Sequence, residues 1–103
     1  MSVIVIGHMT VDPANVEKLW ADRKADFETI AKEAKAAGAV HHRWCFGQGG
    51  VVIIDEWPDP QSFQEFFEHM GPQIGPLMQE VGAGEPEILY WRKLETGDDV
   101  GWQ

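Results

Sequence analysis

Cysteine, positive charge and long hydrophobic runs are all scarce in this sequence, and each shortage excludes a class of protein. The single cysteine, Cys45, cannot form a disulfide within the chain, which indicates a reducing compartment. Only 8 lysines and arginines oppose 17 acidic residues, and the net charge of −9 disfavours nucleic acid and anionic membranes as partners. No apolar run approaches the length of a membrane helix, and the apolar start of the chain is too short for a signal peptide. We therefore expect a cytoplasmic protein.

The composition that remains is typical of one globular domain. The chain has 103 residues, 44% of them hydrophobic and 24% charged, and we expect residues 1–103 to form a single domain. Residues 95–103 are predicted to be an acidic C-terminal tail. Because this tail carries Trp102, we expect the tryptophan to dock on its own or on a partner subunit.

Short β-branched runs alternate with helical apolar stripes in the order βαββαβ. Strands are predicted at 3–11, at 39–47, from residue 51, and at 88–94. Each helix begins at an Asp-Pro pair, Asp12-Pro13 or Asp59-Pro60, in which the aspartate caps the first turn. The first helix is predicted to run to Gly38. The second is expected to kink or break at Pro72 and Pro76, because proline removes a backbone donor.

This order of elements predicts an α+β, ferredoxin-like fold. Such a fold has a four-stranded antiparallel sheet with two helices on one face, which leaves the other face bare. In a chain with 5 tryptophans and 5 phenylalanines, that face is expected to meet a second copy. The sequence therefore predicts a homodimer.

A tight turn at Gln48-Gly49 would join the second and third strands and set their register. The turn places His42 opposite Asp55, on the face of the hairpin that also carries Trp44, Phe46 and Trp57. A carboxylate beside an imidazole fixes its tautomer, as a general base requires. The same pair would equally suit a structural ion pair at an interface or sheet edge. A slip of one residue would pair His42 with Glu56 instead.

Two further histidines are candidates for the same site. His8 is expected near the end of the first strand, at the same end of the sheet as His42 and Asp55, where it would complete a polar cluster. His69 precedes a Gly-Pro pair and is a candidate for the pocket rim, or is simply a surface residue. No tight ligand spacing indicates a metal site, and no cofactor is predicted.

The segment at residues 51–70, VVIIDEWPDPQSFQEFFEHM, resembles the strand–Trp–helix core of the antibiotic biosynthesis monooxygenase-like group. That group belongs to the dimeric α/β-barrel superfamily. The resemblance implies a homodimer with a pocket between the sheet and the helices of each protomer. Cyclase-type members use a histidine on the first strand, which His8 loosely matches. Phe66 stands where the haem-degrading members have a tryptophan, and the first strand lacks their asparagine, so haem degradation is not expected.

The resemblance implies a cofactor-independent monooxygenase acting on a small aromatic or polyketide-like molecule. In that interpretation His42, Asp55 and His8 are the catalytic candidates, and the substrate-binding candidates are Trp44, Phe46, Trp57, Phe66 and His69. Two alternatives stay open. The chain would be a cyclase or isomerase that only moves protons, or a small-molecule-binding dimer without catalysis.

Overall fold

The computed structural model describes residues 2–102, which form four strands and three helices. In chain order the elements are β1 (Val3–Met9), α1 (Pro13–Asp22), α2 (Lys24–Ala36), β2 (His41–Gly47), β3 (Gly50–Trp57), α3 (Pro60–Glu80) and β4 (Glu87–Arg92). All four predicted strands are present. β1, β2 and β4 are each shorter than the predicted 3–11, 39–47 and 88–94.

The strands form one antiparallel sheet in the order β2-β3-β1-β4. The two chain-adjacent strands β2 and β3 form a hairpin, while β1 lies between β3 and β4. This is the strand arrangement of the split βαβ unit, so the predicted ferredoxin-like fold is confirmed. Along β1, buried and half-buried residues alternate strictly, because successive side chains point to opposite faces of the sheet. One face carries the helices and the core, and the other is the open face.

Both Asp-Pro caps form as predicted. The Asp12 carboxylate accepts a hydrogen bond from the backbone N–H of Ala14 at 3.0 Å, and Asp59 accepts one from Ser62 at 2.7 Å. These bonds satisfy N–H groups that the first helical turn leaves without a partner. The backbone N–H of Ser62 also holds the pKa of the Asp59 carboxyl below its usual value.

The first predicted helix is divided in two, which the sequence did not indicate. Arg23 separates α1 from α2, with φ −125° and ψ 36°. Neither glycine nor proline marks the position. Trp20, near the end of α1, is 47% exposed. The Arg23 guanidinium meets Glu80 of α3 at 3.1 Å, so the break coincides with a contact between helices.

A kink or a break was expected at the prolines of the second helix, and the helix does not break. α3 is one helix of 21 residues that contains both Pro72 and Pro76. Each internal proline costs about 3 kcal/mol or more. Met70, Leu77 and Met78 lie on either side of the prolines and are all buried, and each contributes roughly 1.5–3 kcal/mol by leaving water. Burial of the apolar stripe against the sheet therefore offsets the missing backbone bonds.

The C-terminal tail folds back onto the open face. The Trp102 ring contacts the His41 ring edge-on, with centroids 6.2 Å apart, and the Lys93 ammonium lies 5.3 Å from the indole centroid. The prediction that Trp102 docks is thus confirmed for its own subunit. Beyond the tail, Ile54, Leu89 and Trp91 on the open face are 37%, 45% and 52% exposed.

Candidate functional site

The predicted pairing of His42 with Asp55 is confirmed by the register of the hairpin. The two side chains point into the helix-covered side of the sheet and meet directly, with Nδ1 of His42 2.7 Å from Oδ1 of Asp55. Asp55 is buried, with 4% of its surface exposed, while the His42 side chain keeps 23% exposure. The pair therefore joins a buried carboxylate to an imidazole that a small molecule can reach.

The second oxygen of Asp55 is held by a buried tryptophan. The indole Nε1–H of Trp57 donates to Oδ2 of Asp55 at 3.0 Å. Trp57 is fully buried and is fixed in turn by Phe63 and Phe66 of α3, at centroid distances of 5.7 and 5.1 Å. One oxygen of the carboxylate is thus bound to the core, and the other is directed at His42.

This geometry decides what the imidazole can do. An ionised carboxylate only accepts hydrogen bonds, so Nδ1 of His42 carries the proton that faces Asp55. The neutral ring then has an unprotonated Nε2. No side chain in the described part of the protein bonds that nitrogen. His42 is therefore oriented to accept a proton from a bound molecule through Nε2.

The pair lies at a small apolar cavity between the sheet and the helix layer. Its free volume is about 50 Å³. His42 and Asp55 are its only titratable lining residues among those described. The other lining residues are apolar, and they are Val5, Gly7, Phe27, Ile30, Trp44, Ile53, Phe63, Phe66, Phe67, Ile74, Leu77, Met78, Pro86 and Ile88. Such a cavity suits an apolar molecule that presents one exchangeable proton.

Two of the five predicted substrate-binding residues line this cavity. Phe66 reaches it from α3, and Trp44 reaches it from β2, where its ring packs edge-on against Phe27 with centroids 5.5 Å apart. Trp57 was expected to form a wall of the pocket. The structure places it behind Asp55, where it acts on the site through a hydrogen bond.

Phe46 and His69 do not reach the cavity. Phe46 shares the predicted face of the hairpin but lies next to the Gly47–Gly50 turn on the edge strand, where 67% of it is exposed. His69 is on the outer side of α3 and lines a shallow cleft with Glu33 and Glu65. His69 is exposed, so its side chain lies outside the core.

The expectation that His8 joins His42 and Asp55 is wrong. His8 pairs with Val52, whereas Asp55 pairs with Val5, so the two lie three positions apart along β1 and on opposite faces. The His8 ring instead contacts the carbonyl oxygen of Gly49 at 2.7 Å through Nε2. The error arose because the pairing of β1 with β3 is not set by any local turn.

A second carboxylate, Glu56, is buried on the open face directly behind the site. It accepts hydrogen bonds from the Lys93 ammonium and the Ser2 hydroxyl, both at 2.6 Å, and His41 lies 3.6 Å away. These donors, Lys93 first, hold the pKa of Glu56 below its ordinary value of 4.5. The adjacent residues Asp55 and Glu56 thus serve opposite faces of one strand.

The described residues contain neither a metal-binding cluster nor a membrane-spanning helix. Within residues 2–102 no cluster of three or more histidine, cysteine, aspartate or glutamate side chains is arranged to hold a metal ion. None of the described helices is long and apolar enough to cross a membrane.

Fold and site together define a ferredoxin-like α+β protein with an apolar cavity beneath its sheet and one histidine–carboxylate pair in the cavity wall. No family model and no curated protein sequence matches the chain. Solved structures do match it. One is a point variant of SnoaB, a cofactor-independent oxygenase from Streptomyces nogalater, at 21% identity and a TM-score of 0.64, covering 95% of this chain and 98% of that one.

Two further solved structures share this fold with the chain. An antibiotic biosynthesis monooxygenase matches at 14% identity and a TM-score of 0.63, covering 91% of this chain and 99% of the other. A dimeric ferredoxin-like protein from an uncultured marine organism matches at 12% identity and a TM-score of 0.65, covering 91% and 88%. At these identities the likeness establishes the fold. The expected resemblance to the antibiotic biosynthesis monooxygenase-like group is therefore confirmed at the level of the fold.

Proposed function

We propose that the protein is a homodimeric, cofactor-independent oxygenase that acts on a small aromatic molecule, with His42 as the proton acceptor. The observation that carries this proposal is the 2.7 Å contact between His42 Nδ1 and Asp55 Oδ1 in the wall of an otherwise apolar cavity. It leaves Nε2 as the basic nitrogen of a histidine that lines a space bounded by apolar and aromatic side chains. The structural likeness to SnoaB, a cofactor-independent oxygenase, supports the same class.

The chemistry needs only a proton acceptor and dioxygen. Removal of a proton from an acidic O–H or C–H group makes the aromatic ring electron-rich, and such an anion reacts directly with oxygen. Where a ring CH₂ becomes a carbonyl, one oxygen atom forms the C=O bond. The other leaves as water with both hydrogens of the CH₂ group. His42 takes the first proton, and Asp55 stabilises the imidazolium that forms.

A cyclase or isomerase that only moves protons is the second candidate, because the same histidine–carboxylate pair would serve it. Oxygen uptake separates the two. The purified protein should consume dioxygen with an anthrone or a naphthol if it is an oxygenase. Exchange of substrate C–H for deuterium without oxygen uptake would favour proton transfer alone.

His42→Gln tests the role of the pair, and the chain offers a matched control in His41→Gln. The two histidines are adjacent on β2 but face opposite sides of the sheet. We expect His42→Gln to abolish turnover and His41→Gln to retain it. Equal activity in both variants would remove His42 from the mechanism. If no aromatic compound raises the melting temperature, the protein is not a small-molecule enzyme of this kind.

The proposed homodimer rests on the open face. Ile54, Leu89 and Trp91 are exposed there, and large apolar side chains grouped on one surface are typical of an interface. One of the matching structures is a dimeric ferredoxin-like protein. Sedimentation at micromolar concentration should give twice the chain mass. A monomer at that concentration would rule out packing through this face.

A further inference from the structure

Two residues on the inner side of β1 line the cavity, Val5 and Gly7, and the second of them has no side chain. The residues of β1 that face the helices are Val3, Val5, Gly7 and Met9, and all four are buried. Gly7 lines the cavity, whereas Val3 and Met9 pack in the surrounding core. The apolar alternation of β1 is therefore interrupted at this point only.

Neither backbone conformation nor packing requires glycine at this position. Gly7 is not among the glycines with positive φ. A Cβ atom built on it would meet Ile88 and Pro86 at 4.0 Å, which is ordinary van der Waals contact. A glycine within a strand weakens the strand, and where no bend or bulge needs it, it often marks a close approach by a ligand. The absent side chain leaves space above the sheet.

That space lies beside the histidine–carboxylate pair. Trp44, Ile53, Gly7 and Ile88 form one row across the sheet, and the neighbouring row contains His42, Asp55 and Val5. His42 and Gly7 are two strands apart and two residues offset along the strands, which corresponds to roughly 12 Å between their backbones at the usual strand spacing and rise. A single benzene ring cannot contact both positions, whereas two fused rings can span most of that distance.

A second space adjoins the cavity beside β4. A groove of about 510 Å³ lies between α3 and the segment that precedes β4. It shares five lining residues with the cavity, namely Phe67, Ile74, Met78, Pro86 and Ile88. Because the cavity itself holds only about 50 Å³, less than the roughly 150 Å³ that accommodates benzene in an engineered cavity, these shared side chains must move to admit a ring.

The charges around both spaces exclude an anionic occupant. Among the described residues that line the cavity or the groove there is no lysine or arginine, and the groove carries Glu85. A carboxylate or phosphate group would lose its hydration there without gaining a partner. The net charge of −9 acts in the same direction.

The geometry points to Gly7 as the specificity-determining residue of this site. The ligand it selects is a flat, uncharged aromatic molecule of at least two fused rings with one weakly acidic hydroxyl. The hydroxyl faces His42, the second ring lies over the backbone of Gly7, and any extension leaves through the groove beside β4. This inference rests on the proposed role of His42 and adds the residue that admits the second ring of the substrate.

Binding of 2-naphthol and 2-naphthoate tests the inference, because the two compounds share a shape and differ in charge. Isothermal titration should show that the native protein binds 2-naphthol and binds 2-naphthoate at least about ten-fold more weakly. Gly7→Val places two methyl groups in the ring's path, so it should weaken 2-naphthol binding by about ten-fold or more. Gly47→Val, the same change at an exposed strand position where a Cβ meets nothing within 4 Å, should leave binding unchanged.

Gly7→Ala provides a second variant if Gly7→Val does not fold, and it should weaken 2-naphthol binding while keeping the native melting temperature. The inference is overturned if neither compound binds, if 2-naphthoate binds as well as 2-naphthol, or if the Gly7 variants bind like the native protein. Binding that depends on Gly7 without turnover would leave the inference intact and reject the proposed catalysis. Turnover that the Gly7 variants leave unchanged would support the proposed catalysis and overturn the inference about Gly7.

Discussion

The hydrogen bond from Trp57 to Asp55 can be removed without changing His42 or Asp55, so its contribution to stability can be measured separately from catalysis. Trp57→Phe keeps an aromatic ring against Phe63 and Phe66 but removes the N–H that Oδ2 of Asp55 accepts at 3.0 Å. Asp55 is only 4% exposed, so water cannot readily replace the lost donor. A hydrogen bond to a charged group contributes about 1.5–3 kcal/mol.

The smaller ring adds a packing loss. Trp57 is fully buried, and removal of part of a buried ring costs on the order of 1 kcal/mol through lost contacts and residual space. We therefore expect Trp57→Phe to lower the free energy of unfolding by about 2–4 kcal/mol. Urea unfolding at one fixed protein concentration measures this change, since the stability of the proposed dimer would depend on concentration.

The matched control is Trp20→Phe, the same chemical change at a side chain that is 47% exposed. That variant should unfold within about 0.5 kcal/mol of the native protein. A second measurement is the tautomer of His42, read from ¹⁵N chemical shifts of the ring. A carboxylate freed on one side should rotate, and a mixture of Nδ1–H and Nε2–H forms should replace the single form. Equal stability of the two tryptophan variants would refute the role assigned to the indole hydrogen bond.

Three further predictions concern the site, the open face and the tail. Asp55→Asn nearly keeps the shape of the side chain but offers an amide donor to Nδ1 of His42. Turnover should therefore fall by about 100-fold or more, and the His42 ring should change tautomer in ¹⁵N spectra. Unchanged turnover would reject His42 as the base. The pKa of Glu56 is lowered in the folded protein, so its stabilising contribution is complete above about pH 4.5 and is lost as the pH falls through the lowered pKa. Glu56→Gln should therefore weaken the acid dependence of the urea midpoint below pH 4.5, and an identical pH profile would contradict the Lys93 contact. Trp102→Ala removes the ring that covers this cluster and should raise the dissociation constant of the proposed dimer in analytical ultracentrifugation; an unchanged constant would place the tail outside the interface.

Local signals in the sequence were enough to predict much of the fold. Asp12-Pro13 and Asp59-Pro60 marked the helix starts correctly, because capping depends on residues within one turn of the chain. The tight turn at Gln48-Gly49 set the register of β2 against β3, and so placed His42 opposite Asp55 before any tertiary contact was known. These features depend on interactions over a few residues, where chain geometry alone limits the alternatives.

The errors all involve contacts between distant parts of the chain. His8 was assigned to the wrong face and the wrong end of the sheet because β1 joins β3 across some forty residues without a connecting turn. Pro72 and Pro76 were expected to kink or break a helix that stays continuous because it packs against the sheet. The division at Arg23 has no local signal and coincides with its contact to Glu80.

The sequence by itself determined the order of the strands, the Asp-Pro helix caps and the partner of His42. Only the tertiary structure decided that Trp57 holds Asp55, that Gly7 opens the cavity, and that Phe46, His8 and His69 lie outside it. The physical reason is the range of the interactions. Caps and hairpins are set by neighbouring residues, whereas a cavity exists only where helix side chains and the sheet meet, and its shape depends on how those distant surfaces pack.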